Sequence, residues 1–195
     1  APHSMKKIYF VRHGETNYNL EGLVQDGTST LTDLGKKQAY IVADRLSKLS
    51  FETLVVSDYE RTRQTVAPVV DTTGMTPVYS ELFREIRRPS VFFHTSRKEQ
   101  VFQTFLKESE SHYADATWHH SDEENFADAL KRAEQALEFL LQQEGDVVVV
   151  SHGHFIRLIT AYILTQQQLT PGVWTRMMHS FWTTNTGITA FSYED

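Results

Sequence analysis

The chain has 195 residues, a net charge of −6 and no cysteine; 40% of its residues are apolar and 23% are charged. That length suits a single domain with a sizeable core. The absence of cysteine excludes disulfides, thiolate nucleophiles and zinc–cysteine sites, and is compatible with a cytoplasmic location. No long lysine or arginine block interrupts the acidic balance, so no nucleic-acid partner is expected. No apolar run approaches the ~20 residues of a membrane span, so no membrane partner is expected either. No signal-peptide pattern opens the chain; Ala-Pro-His-Ser before Met5 reads as a cloning remnant, which places the expected domain at 5–195.

Residues 8–11, IYFV, form a short continuous apolar run of β-preferring residues, as in strands buried on both faces. Arg12-His13-Gly14-Glu15-Thr16 follows at once. Over 33–49, Ala39, Val42, Ala43, Leu46 and Leu49 recur at helical spacing. TLVVS at 53–57 predicts a second strand, followed by Asp58 and by Arg61 on the next helix. A helix over 97–110 is expected to bury Val101, Phe102, Phe105 and Leu106. Another is expected over 122–143, with Ser121 as N-cap and Glu124 closing a capping box, and with Gly145 breaking it. VVVV at 147–150 predicts a further buried strand, leading into Ser151-His152-Gly153-His154; GITAFSY at 187–193 predicts a last strand, at an edge.

Strands alternating with helices predict an α/β fold, three layers deep (α/β/α), around a mostly parallel sheet. In that architecture ligands bind beyond the carboxyl ends of the strands. Two histidines, His13 and His152, and two arginines, Arg12 and Arg61, follow different strands and are expected to meet there. Guanidinium groups grip phosphate oxygens in a two-pronged geometry and stay charged. Imidazole offers an unprotonated nitrogen as nucleophile once its other nitrogen is fixed, typically by a carbonyl. Glycine after the histidine is expected to let the backbone approach the ligand. The set fits phosphoryl transfer through a phosphohistidine.

RHGETNYN and SHG resemble the two signature motifs of the histidine phosphatase superfamily, the phosphoglycerate-mutase-like fold. SDYERTRQT (57–65), LTDLGKKQA (31–39) and LFREI (82–86) resemble its remaining motifs, in the expected order. The resemblance implies His13 as nucleophile, and Arg12, Asn19, Arg61 and His152 as the phosphate-binding residues. It implies Glu85 as general acid, then base, with neighbouring Glu81 the competitor for that role. Glu15 and Thr16 belong to the motif, with roles left open between function and structure. It implies neither a cofactor nor a metal, and a small phosphorylated metabolite as partner. Because Glu85 must be protonated when the leaving group departs, better activity is expected in mildly acidic to neutral conditions than in alkali.

The sequence departs from the family in two places. RRPSVFFHTSRK (87–98) replaces a glycine- and tryptophan-bearing segment, and Arg84, Arg87, Arg88, Arg97 and Lys98 cluster there. They serve either a second anion on the substrate or a solvated loop, and Phe92, Phe93 and His94 either cap the pocket or join the core. At 23–30, Asp26 stands near the expected phosphate and has to turn away. Hydrolysis is favoured over a mutase, since the insertion with paired arginines that mutases carry is missing. A metal hydrolase using His13, His152, His154 and Asp58 and a catalytically silent phospho-ligand module are the readings from other classes. His119-His120 reads as a surface pair.

Overall fold

The computed structural model describes residues 5–194; residues 1–4, which the sequence reading sets aside, lie outside the described residues. Five strands form one sheet, ordered β3-β2-β4-β1-β5. They are β1 (Lys6–Arg12), β2 (Thr53–Ser57), β3 (Val78–Ser80), β4 (Val147–Ser151) and β5 (Ile188–Tyr193). β1, β4, β2 and β3 run parallel, and β5 closes one edge antiparallel to β1. The mixed α/β fold and its mostly parallel sheet are as expected; β3, two of whose three residues are exposed, carried no apolar run to announce it.

Layering follows from strand periodicity. On β4 every residue is buried, because Val147 and Val149 face one core while Val148 and Val150 face the other. On the second side α2 (Asp33–Ser47) and α3 (Glu60–Thr73) pack Val42, Ala43, Leu46, Val66 and Val69 against the sheet. On the first side α5 (Phe126–Leu141) and α6 (Gly153–Leu164) bring Ala133, Leu137, Leu140, Ile156 and Ile159. A smaller cluster of Val24, Phe92, Phe102 and Phe105 ties α4 (Gln100–Ser111) to the 89–98 segment.

Three details correct the sequence reading. The long helix begins at Phe126, where Asn125 is the N-cap and Asp128 completes the capping box. Glu124 is not available for a box at Ser121, since Arg132 takes its carboxylate at 2.7 and 2.8 Å. Val101 is 57% exposed, so only Phe102 and Phe105 of that face are fully buried. Gly14 makes room for a helix rather than for a ligand: a Cβ there would stand 2.7 Å from the Gly35 carbonyl oxygen at the start of α2.

Candidate active site

Arg12, Ser57 and Ser151 end β1, β2 and β4, so His13, Asp58 and His152 emerge side by side at the carboxyl edge of the sheet. His13 is 2% exposed and His152 fully buried, their rings 5.3 Å apart. His13 Nδ1 lies 2.7 Å from the Gly14 carbonyl, to which it donates; this leaves Nε2 bare of its proton. His152 Nε2 accepts from the Ser57 hydroxyl at 2.8 Å, and its Nδ1 has no partner. Burial, followed by the charges of Arg61 and Arg12, holds His13 well below the usual histidine range. Burial and the Arg61 charge do the same to His152.

Arg61 rises from the first turn of α3 and is 1% exposed. It donates to the Asp26 carbonyl at 2.6 Å and to Ser29 Oγ at 3.2 Å, while its Nε has no partner. Burial pulls its pKa down to about 10, so it stays charged at neutral pH. Arg12 donates to the Thr183 carbonyl at 2.7 Å, and its Nε too is enclosed without a partner. Asp26 does turn away: its carboxylate accepts from Thr28 and from His94, at 3.1 Å. Asn19 lines the same cavity, its carbonyl oxygen held by the Thr16 N–H and by Asn185.

Glu85 faces this cavity, whose volume is about 330 Å³. Its carboxylate is fixed by three backbone N–H groups: Ile86 at 2.9 Å and, at the start of α6, Phe155 at 2.8 Å and His154 at 3.1 Å. Ser151 Oγ donates to the Phe83 carbonyl, and Arg132 donates to those of Leu82 and Arg84, which pins the segment carrying Glu85. Glu81 points elsewhere and pairs with Arg84. Glu15 and Thr16 act structurally here: Glu15 accepts from Thr32, and Thr16 caps the short helix α1 (Asn17–Glu21).

Six buried side-chain polar atoms lack a partner among the described residues, and five belong to Arg12, Arg61, His152, His154 and Thr183 at or beside this cavity. Buried polar groups are almost always satisfied, so such a concentration marks a ligand site. The sequence profile of the histidine phosphatase superfamily (branch 1) matches residues 8–195. The chain belongs to that superfamily. A probable phosphoglycerate mutase, GpmB, of Yersinia pestis is 37% identical over 83 residues, which is 42% of this chain and 39% of that protein. The phosphoserine phosphatase of Entamoeba histolytica, a mutant solved with phosphoserine, superposes with a TM-score of 0.77 at 28% identity, covering 96% of this chain and 90% of that one. A mycobacterial glucosyl-3-phosphoglycerate phosphatase gives 0.79 at 23% identity, covering 97% and 91%, a likeness of fold.

In this member of the superfamily the basic cluster read from 84–98 divides. Arg84 makes a two-pronged pair with Asp58 at 2.6 and 2.8 Å, and Arg87 donates to the Asp122 carbonyl. Only Arg88 and Arg97 line the cavity, and neither has a side-chain hydrogen bond or ion pair among the described residues. Arg157 joins them from α6, one turn after Gly153, a spacing that could have revealed it. The sequence also missed the 183–187 segment: Thr183 holds Arg12, and Asn185 donates to the His13 carbonyl at 3.0 Å. Phe92 is core, while His94 sits at the rim, accepting from the Tyr18 hydroxyl. His119 and His120 are both exposed, as read, and the His120 ring also packs on Phe92 and Phe105. Among the described residues no group of three histidine or acidic side chains is placed to hold a metal ion. None of the helices described is long and apolar enough to cross a membrane.

Three neutral, enclosed histidines make stability depend on pH. His13, His152 and His154 all titrate well below the ordinary value of 6.5, for each of which burial is the first cause. Below pH 6.5 the unfolded chain binds protons that the folded state refuses, so stability present above that pH is lost as pH falls. The slope reaches at most about 1.4 kcal/mol per pH unit for each histidine. The melting temperature should therefore fall steadily from about pH 7 to about pH 5, where carboxylates contribute little. A flat or rising profile by differential scanning calorimetry would count against neutral histidines.

Proposed function

We propose that the protein is a phosphomonoesterase working through a phosphohistidine at His13, on a small phosphorylated metabolite that carries a second anionic group. The observation carrying the chemistry is the His13 Nδ1–Gly14 carbonyl bond, which orients Nε2 as a ready nucleophile among arginines. Arg12, Arg61 and His152 hold the phosphoryl oxygens through the atoms that lack protein partners, and Asn19 adds a contact. His13 Nε2 bonds to phosphorus as the ester P–O bond breaks, and Glu85 gives its proton to the leaving oxygen. Glu85, now a carboxylate, takes a proton from water; the hydroxide attacks phosphorus, the N–P bond breaks and phosphate leaves.

The second anion follows from charge. The cavity presents five arginines, Arg12, Arg61, Arg88, Arg97 and Arg157, against the single carboxylate of Glu85. That excess exceeds the charge of a phosphate dianion by two with Glu85 ionised, and by three with Glu85 protonated as the acid step needs. Phosphoserine, named with the similar Entamoeba enzyme, carries a carboxylate as well as its phosphate. Arg88→Gln should raise KM for such an ester by roughly tenfold or more, the worth of a charge-assisted hydrogen bond, and leave KM for p-nitrophenyl phosphate near wild type. Equal effects on both would remove the second-anion reading. Mutase activity, suggested by the likeness to GpmB over 83 residues, is the alternative. Hydrolysis of p-nitrophenyl phosphate in EDTA decides for the metal-free phosphatase; phosphoglycerate interconversion without hydrolysis decides for the mutase.

A further inference from the structure

A second cavity, of about 480 Å³, adjoins the first. It opens between α4, the 112–125 segment, α6 and α7 (Pro171–Met177). Its walls are mixed: Phe105 and Leu106 from α4, Trp118, Leu158 from α6 and Trp174 from α7 stand among charged side chains that include Lys107, Glu110, Asp115 and Glu123. The two spaces meet at Ile86, Arg88 and His154, which line both. Protein interiors are close-packed, and a space of this size with aromatic walls has the volume and lining of a small-molecule pocket.

The junction is chemically distinct. His154 stacks on Trp174, ring centroids 5.7 Å apart and planes within 20°, and its enclosed Nε2 has no partner. Arg88 likewise meets no acceptor among the described residues, although it stands between the two spaces. Moving outward from His13, a ligand would thus meet the phosphate grip, then Glu85, then the unpaired Arg88 and His154, then a chamber with aromatic side chains in its walls.

We propose that this chamber holds an apolar, ring-sized substituent of the substrate's alcohol, with Arg88 and His154 gripping the polar atoms between the ester and the ring. The proposal rests on the reading of the first cavity as a phosphomonoester site. It makes the preferred substrate larger than a three-carbon phosphoester.

The test compares two probes of the same ester chemistry, O-phosphoserine and N-benzoyl-O-phosphoserine, by calorimetric titration of His13→Ala, which binds without turnover. The benzoyl ring reaches past the carboxylate, and its amide can meet His154. It should bind tenfold or more tighter than O-phosphoserine, the gain expected from burying a ring. Adding Leu106→Trp, which fills the chamber, should abolish that gain and leave O-phosphoserine affinity unchanged. Should that variant not fold, Ala129→Phe fills the chamber from α5. Equal affinities, binding of neither probe, or a gain that survives the filling variant would each overturn the proposal. Hydrolysis of p-nitrophenyl phosphate by wild type reports separately on the phosphatase reading, so the two can fail independently.

Discussion

Replacing His13 with alanine is expected to lower p-nitrophenyl phosphate hydrolysis by roughly 10⁴-fold or more, since the covalent route disappears with the nucleophile. The loss should not come from unfolding. His13 makes one side-chain hydrogen bond, to its neighbour Gly14, and removing a ring held neutral among Arg12 and Arg61 leaves no charge unpaired. The variant should still bind inorganic phosphate, because Arg12, Arg61 and His152 are untouched. Substantial residual turnover would point to direct attack by water. Loss of phosphate binding together with activity would mean that His13 organises the pocket rather than attacks.

Glu85→Gln should separate the two half-reactions. The amide oxygen of Gln can keep the Ile86 and Phe155 N–H bonds, while its NH2, itself a donor, gives up the bond from the His154 N–H. With an alkyl phosphate, whose alkoxide needs a proton to leave, kcat should fall about 10²- to 10⁴-fold. With p-nitrophenyl phosphate the leaving group departs unaided, but water still lacks its base. Rapid-mixing kinetics should then show a burst of nitrophenol equal to the enzyme present, followed by a slow steady state. No burst, with equal losses on both substrates, would take the acid–base role away from Glu85.

The signature residues were legible because buried parallel strands write themselves as unbroken apolar runs. β4, with all five residues buried, points straight at His152, and β1 points at His13. What stayed hidden depends on which partner wins a side chain. Arg84, Arg87, Arg88 and Arg97 look alike in sequence, yet Asp58 and Asp122 claim the first two and leave the others facing the cavity. The helix start was misplaced because Ser121–Glu124 and Asn125–Asp128 share one capping spacing; Arg132 decides between them by taking Glu124. Glycine's missing side chain suggests that Gly14 clears the ligand's path, but only the fold reveals the Gly35 carbonyl against it. The second cavity, assembled from four separated segments, leaves no local pattern at all.

The central claim is phosphoryl transfer to His13, and trapping the intermediate tests it most directly. Wild-type protein mixed with excess p-nitrophenyl phosphate, quenched in alkali, digested and analysed by mass spectrometry should yield the peptide containing His13 heavier by one phosphoryl group. That label should vanish on acid treatment, as a phosphoramidate does. Steady hydrolysis with no label on His13, or an acid-stable label elsewhere, would contradict the account.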